Sequence, residues 1–391
     1  MAAAAAPLAA LTSLRFVAAF AVLLLHYRDA FGPLPPWLLR GVIGGQYGVT
    51  FFFVLSGFIL TWRYHDWFAA GVDERHYLWF QRFRFARLFP VYLLGLLLDT
   101  PAHLVERAAA GALASDGALY WAAWLINALA LQAWVPRVPF AMFWNTPAWS
   151  VSAECFFYAV FPFVTLGLAR RVRGGGGLAA LFVAVWLGGI ALYAAAIYLL
   201  TWVWPLQGEP LYIVLVYHPL LRSSEFLAGC VLGQFFVRSQ RAGGGWLAAS
   251  AARRHAVIVL CLALIALRVW LPDYTGPNRW AWLLDVSAKY GVFVLPFAGL
   301  ILALAAGRTV LHGVLERPAL VLLGEASYAL YIIHWSVVTL IQQRVFGAAS
   351  TPALHAALLL ATVAASVLVY RGFELPWRLR LRGAQPPGLS P

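Results

Sequence analysis

The chain has 391 residues, of which 63% are hydrophobic and only 11% are charged. Soluble globular domains carry roughly 25% charged residues, so this composition excludes a soluble globular protein and predicts an all-α polytopic membrane protein. We attribute the formal net charge of +13 to the orientation of the chain in the membrane and to contacts with the lipid leaflets. Nucleic-acid binding is not indicated, because no basic run is interleaved with aromatic residues. The cysteines lie in apolar segments without metal-ligand spacing, so neither a disulfide framework nor a metal site is predicted.

Ten apolar segments are long enough to cross a hydrocarbon core of about 30 Å. They are residues 8–28, 41–62, 83–100, 147–169, 178–202, 211–237, 255–271, 286–306, 319–341 and 352–373. This topology puts 18 of the 28 Lys and Arg residues on one side of the membrane and eight on the other. The positive-inside rule then predicts that the N- and C-termini are cytoplasmic.

Two further segments complete the predicted organisation. The Trp-rich stretch 118–135 is long enough for an eleventh crossing, but that crossing would invert the charge pattern after it. We therefore interpret it as an interfacial or re-entrant element, since Trp is enriched at headgroup depth. We assign residues 1–382 to one membrane domain and 383–391 to a disordered tail.

Arg15 and His26 lie in the first span, eleven residues apart. That spacing puts them on one face of a helix, about 16 Å apart along its axis. Ionisable groups inside a membrane span are costly and usually line a pathway or a site, although snorkelling to the two helix ends is the alternative. Arg15, in the inner half, suits a phosphate-bearing donor from the cytoplasm, and the His26 imidazole can take a proton from a hydroxyl.

Further ionisable residues occur in later spans. Arg84 and Arg87 are an i, i+3 pair suited to bidentate phosphate contacts, with cytoplasmic anchoring as an equal alternative. Arg222 and its i+3 partner Glu225 predict an intramembrane ion pair, in which Arg222 could also meet the donor. Glu154, at a similar depth to His26, could orient the imidazole or hold the acceptor.

A polar stripe marks the ninth span. Ser327, Tyr331 and His334 recur there at helical spacing and are candidates for supporting roles; a lone histidine at such a position is more often a structural hydrogen-bonder. Near the C-terminus, Glu374 and Pro376 indicate a helix terminator with a local pair to a nearby arginine.

In chain order, seven motifs resemble the integral-membrane acyltransferase family 3, whose members O-acetylate bacterial surface polysaccharides, peptidoglycan and some antibiotics. The motifs are R-x10-H, FFFVLSGFIL, R-x-x-R-L-F-P, WSVSAE-x-x-FY-x-x-FP, R-x-x-EFLAG, SYALYIIH and the closing E-x-P, over about residues 8–378. The resemblance implies transfer of an acyl group, usually acetyl from acetyl-CoA, to a sugar hydroxyl. It also implies that Arg15 and His26 are the family's pair and that Arg84 and Arg87 form a donor site, while Glu154 matches the carboxylate of WSVSAE.

Our leading hypothesis is therefore an O-acyltransferase of the plasma membrane, with acyl-CoA and a glycan as substrates and no bound cofactor. His26, helped by Glu154, would deprotonate the acceptor, or would itself carry the acyl group. We expect the imidazole and the guanidinium groups to line one cavity. A secondary transporter of a polar solute or glycan precursor explains the intramembrane charges equally well, whereas a sensor or scaffold does not explain their number.

Overall fold

The computed structural model describes residues 8–172, 174–338 and 351–383, and within these ranges the chain forms helices and no strands. The α-helices are α1 Leu8–His26, α2 Pro36–Ile43, α3 Gly48–Phe68, α4 Glu74–Ala109, α5 Ala112–Ala128, α6 Val138–Ala141, α7 Trp149–Arg171, α8 Gly174–Tyr198, α9 Gly208–Tyr217, α10 Pro219–Arg241, α11 Ala251–Trp270, α12 Arg279–Ala305, α13 His312–Leu315, α14 Pro318–Glu325, α15 Ser327–Val337, α16 Pro352–Val369 and α17 Leu375–Arg382. The all-α fold predicted from composition is confirmed.

In the described part of the chain, eight helical segments are long and apolar enough to cross a membrane. They are Ala9–His26, Pro36–Phe68, Glu74–Ala109, Thr146–Arg171, Gly174–Val203, Gly208–Arg241, Arg279–Ala305 and Ala353–Arg382. The pair α14 and α15 would make a ninth if it is one broken span. The chain is thus a multi-pass membrane protein, while the count of ten stays a prediction.

The structure does not confirm three of the predicted segments. The segment 255–271 forms a helix, α11, but it is not among the eight candidate spans, and its 20 residues include three arginines, Arg253, Arg254 and Arg268. The predicted ninth span, 319–341, continues past the described residues at 338, and the predicted tail lies outside them from residue 384 onward.

The Trp-rich stretch 118–135 contains most of α5, which is not among the helices suited to crossing. The preceding helix, α4, has 36 residues, a length of about 54 Å that exceeds the hydrocarbon core. After α4 the chain turns back, and Trp124 of α5 donates a hydrogen bond to Thr100 of α4 at 2.9 Å. This packing agrees with an element that returns along α4.

Glycines bring α3 and α10 into backbone contact at the centre of the bundle. A Cβ atom added to Gly57 would overlap the carbonyl oxygen of Phe226, and one added to Gly229 would overlap that of Val54. Small residues permit this approach in membrane bundles, where dispersion and close packing hold helices together.

A sharp break separates α14 from α15, whose axes are bent by 61°. Gly324, just before the break, leaves no room for a Cβ against the carbonyl oxygen of Thr12, so the chain lies directly on α1. Beyond the break, α15 carries Ser327, Tyr328 and Tyr331 to the wall of an internal cavity.

Candidate active site

A cavity of about 160 Å³ lies between α1, α3, α4, α7 and α15. Its volume is close to that of an engineered protein cavity that holds benzene, so it can hold a small group but no nucleotide. Its polar lining residues are Arg15, Ser56, Arg84, Arg87, Ser150, Glu154, Tyr158, Ser327, Tyr328 and Tyr331. Six candidates chosen from the sequence, on four different helices, therefore meet around one space.

Arg84 is held at the cavity wall by aromatic residues. It donates a hydrogen bond to the Tyr64 hydroxyl at 2.9 Å, and its guanidinium carbon lies 5.3 Å from the Tyr64 ring centroid and 5.9 Å from that of Tyr158. Cation–π contacts of this kind fix the orientation of a guanidinium while leaving its charge unneutralised. Arg84 is thus a positioned cation with no carboxylate within ion-pair distance in the described residues, and Glu154 of the same cavity is the carboxylate on which its charge acts.

Arg87 has a different environment, because it forms an ion pair with Glu374. The Glu374 side chain is 1% exposed, and Arg378 lies 4.0 Å from the same carboxylate. The prediction that Glu374 pairs with an arginine is correct, but the closer partner is on α4. The predicted helix terminator is wrong, because the chain stays helical through Tyr370–Glu374 into α17.

Glu154 and Arg15 both line the cavity, and their side chains interact electrostatically. The Tyr158 hydroxyl, one turn along α7, donates a hydrogen bond to the Glu154 carboxylate at 3.1 Å. The prediction that Glu154 orients the His26 imidazole does not match this arrangement, because a different residue contacts that ring.

His26 meets His334 instead, and neither is among the residues that line the cavity. Nδ1 of His26 lies 2.9 Å from Nε2 of His334, and the Trp335 ring packs edge-on at 5.2 Å. The ring centroids of His334 and Tyr331 are 6.0 Å apart, as are those of Tyr331 and Phe52. Tyr331 and Phe52 line the cavity whereas His26 does not, so the expectation of one cavity shared with His26 is wrong.

Arg222 also lies away from the cavity. It pairs with Glu225 at 3.1 Å, with both side chains at most 4% exposed. It donates to the Thr50 hydroxyl at 3.2 Å, and that hydroxyl donates to Glu225 at 2.9 Å. The predicted intramembrane ion pair is present, but this placement offers no contact with a donor in the cavity.

Hydroxyl groups at the cavity wall bind backbone carbonyl oxygens. Ser327 donates to Gly324 at 2.7 Å, and Tyr331 donates to Pro147 at 2.8 Å. Tyr331 also accepts a hydrogen bond from Ser150 at 3.0 Å. The Ser327 bond fixes the break between α14 and α15, and the two Tyr331 bonds join α15 to the start of α7.

Sequence reasoning missed three tyrosines near the cavity. Tyr158 lies one helical turn from Glu154 and Tyr328 follows Ser327 directly, so helical periodicity could have found both. Nothing in the sequence links Tyr64 to Arg84. No group of three His, Cys, Asp or Glu side chains within the described ranges could hold a metal ion.

The comparisons with known proteins identify the family of this chain. Residues 8–371 match the acyltransferase 3 family, described as an acyltransferase domain. The chain is 28% identical over 409 aligned positions to the acyltransferase MdmB of Streptomyces mycarofaciens, covering 97% of this chain and 94% of that protein. No solved structure matches the chain significantly. Since the family match covers nearly all of the sequence, this chain belongs to the acyltransferase 3 family of membrane acyltransferases.

Proposed function

We propose that this membrane acyltransferase moves a short acyl group, usually acetyl, from acyl-CoA to a hydroxyl of a carbohydrate-containing acceptor at the plasma membrane. The observation that carries the proposal is the convergence of Arg15, Arg84 and Arg87 with Glu154 on one small cavity inside the helix bundle. Charged side chains inside a membrane span are costly and usually mark a site or a pathway.

The donor is proposed to enter from the side where α4 begins, which is cytoplasmic in the predicted topology. Arg84 is the best-placed group for a CoA phosphate, because no carboxylate lies within ion-pair distance of it in the described residues and guanidinium–phosphate contacts are strong. The cavity is too small for a nucleotide, so we place one donor phosphate at the Arg84 wall with the nucleotide outside, and the acyl end, carried on the pantetheine arm, extends towards His26. Arg87, already paired with Glu374, is better suited to shaping the entrance than to binding phosphate directly.

The chemistry assigned to His26 is proton transfer. The imidazole takes the proton from the acceptor hydroxyl, the oxygen attacks the thioester carbonyl, and the carbon–sulfur bond breaks to release CoA. Arg15 lies about 16 Å from His26 along α1, too far to contact a carbonyl that reacts at the imidazole, so we assign it with Arg84 to the donor phosphates. An acyl-imidazole on His26 is the alternative route, distinguished by trapping a labelled acyl-enzyme.

Tyr331 lines the cavity, and its ring centroid lies 6.0 Å from that of His334. An acyl group that extends from the cavity towards His26 passes this residue. We therefore include movement of the Tyr331 ring in the proposed cycle.

The donor half of the proposal is tested by thermal unfolding of the purified protein in lipid nanodiscs, with acetyl-CoA, CoA or 3′-dephospho-CoA added. Acetyl-CoA should raise the unfolding temperature of the unaltered protein and of Arg253→Ala, an exposed arginine on α11, but much less that of Arg84→Ala. Equal stabilisation of all three proteins, or of none, would contradict the donor site.

A further inference from the structure

The two imidazoles of His26 and His334 meet edge to edge. Their ring planes are only 16° apart and their centroids are separated by 5.1 Å, whereas the two facing nitrogens are 2.9 Å apart. Rings stacked face to face would have their centroids closer together. The contact is therefore an in-plane hydrogen bond between Nδ1 of His26 and Nε2 of His334.

The backbone decides which nitrogen donates. Nδ1 of His334 lies 3.1 Å from the carbonyl oxygen of Leu330, and a carbonyl oxygen can only accept, so this Nδ1 carries a hydrogen. In the neutral ring the opposite nitrogen, Nε2, then has none and must accept. The Nδ1 hydrogen of His26 fills that bond, which leaves the lone pair of neutral His26 on its Nε2.

We propose that His334 is a positioning residue that holds His26 in the tautomer whose Nε2 is free to accept a proton or an acyl group. This inference rests on the proposed role of His26. His334 does for His26 what a buried carboxylate does for the histidine of a hydrolase triad, but it does so without a charge. A neutral partner suits this depth, because a buried carboxylate would itself need a cation.

Burial and ring contacts support a fixed orientation. The His334 side chain is fully buried, while His26 at the end of α1 is partly exposed. Adjacent residues of α15 hold the His26 ring, His334 by the hydrogen bond and Trp335 by its edge-on contact. The charged group that acts on His26 in the described residues is Arg28, two residues further along the chain.

Three substitutions of His334 separate this role from simple packing. His334→Gln presents an oxygen near the position of Nε2 and can accept from His26. In His334→Asn the shorter side chain can bond only to the Leu330 carbonyl oxygen. In His334→Leu the side chain can bond neither to that oxygen nor to His26. Initial rates of acyl transfer from [14C]acetyl-CoA to endogenous acceptor are measured in membrane vesicles containing equal amounts of each protein.

We expect kcat to fall about 100-fold or more in His334→Leu and His334→Asn, since the wrong tautomer in a triad costs up to about 10⁴-fold, with KM for acetyl-CoA unchanged. His334→Gln should recover at least about ten-fold of that loss, as expected for a partner that orients a histidine. Nitrogen-15 NMR of histidine-labelled protein, with His26→Ala to assign the signal, should show an unprotonated Nε2 in the unaltered protein.

The results that would overturn the inference are specific. Equal rates for Gln and Asn, a rise in KM in place of a fall in kcat, or a protonated Nε2 on neutral His26 would each exclude the positioning role. These results leave the proposed function intact if His26→Ala is inactive and acetyl-CoA still binds. If His26→Ala retains full activity, both the inference and the proposed role of His26 fail.

Discussion

The guanidinium of Arg87 on α4 is paired with the carboxylate of Glu374, 287 positions later in the chain. The Arg87 side chain is 16% exposed and the Glu374 side chain is 1% exposed, so neither charge is well solvated. The pair joins the C-terminal segment to α4, the helix that carries Arg84.

Breaking this pair should destabilise the protein. Glu374→Ala leaves the Arg87 charge without its partner, which typically costs about 3–5 kcal/mol for a buried pair. The measurement is the thermal midpoint in detergent. Glu316→Ala is the matched control, because its partner Arg308 is 78% exposed and such surface pairs contribute about 1 kcal/mol or less. Equal losses in the two variants would show that the burial of Glu374 has no energetic consequence.

The contact between α3 and α10 predicts that Gly57 tolerates no larger residue. A methyl group there overlaps the Phe226 carbonyl oxygen, so Gly57→Ala must push the helices apart at a cost of about 1–3 kcal/mol. Gly167→Ala on α7 is the control, since nothing lies within 4 Å of its added Cβ, and alanine is the better helix former. Unfolding in detergent should rank Gly57→Ala well below Gly167→Ala. The reverse order would refute the packing argument.

Arg222 is expected to act on stability and not on donor binding. Arg222→Met should lower the thermal midpoint because it leaves Glu225 buried without its ion-pair partner, while KM for acetyl-CoA stays the same. The double variant Arg222→Met with Glu225→Leu should regain much of the stability. A higher KM in properly folded Arg222→Met would restore the donor role that the sequence suggested.

Arg84 should show the opposite behaviour. Arg84→Ala removes a cation that hydrogen-bonds to Tyr64 and is proposed to meet a CoA phosphate, so KM for acetyl-CoA should rise about ten-fold or more. Arg84→Lys keeps the charge but not the planar guanidinium, so its KM for acetyl-CoA should lie between those of the unaltered protein and Arg84→Ala. An unchanged KM in Arg84→Ala, measured by release of the CoA thiol, would remove Arg84 from the donor site.

Local sequence patterns predicted the helices and many of the cavity residues. A charged residue inside an apolar span is costly, so it can be recognised from the sequence of that span alone. Arg15, Arg84 and Glu154 each stand out among apolar neighbours, and the helical period already assigns them to faces. Which faces meet depends on packing between distant helices. The His26–His334 contact joins residues 308 positions apart, so membrane depth, which suggested Glu154 as one candidate to orient the imidazole, could not reveal it.

Under the proposed function, this protein places an acyl group on an envelope hydroxyl, with His26 as the reacting base or acyl carrier. The most direct measurement is the mass spectrum of envelope glycans from cells that produce the unaltered protein, His26→Ala at equal abundance, or neither. We predict an acetyl increment, sensitive to mild base as an ester is, with the unaltered protein alone. The same increment in cells producing His26→Ala would contradict the account.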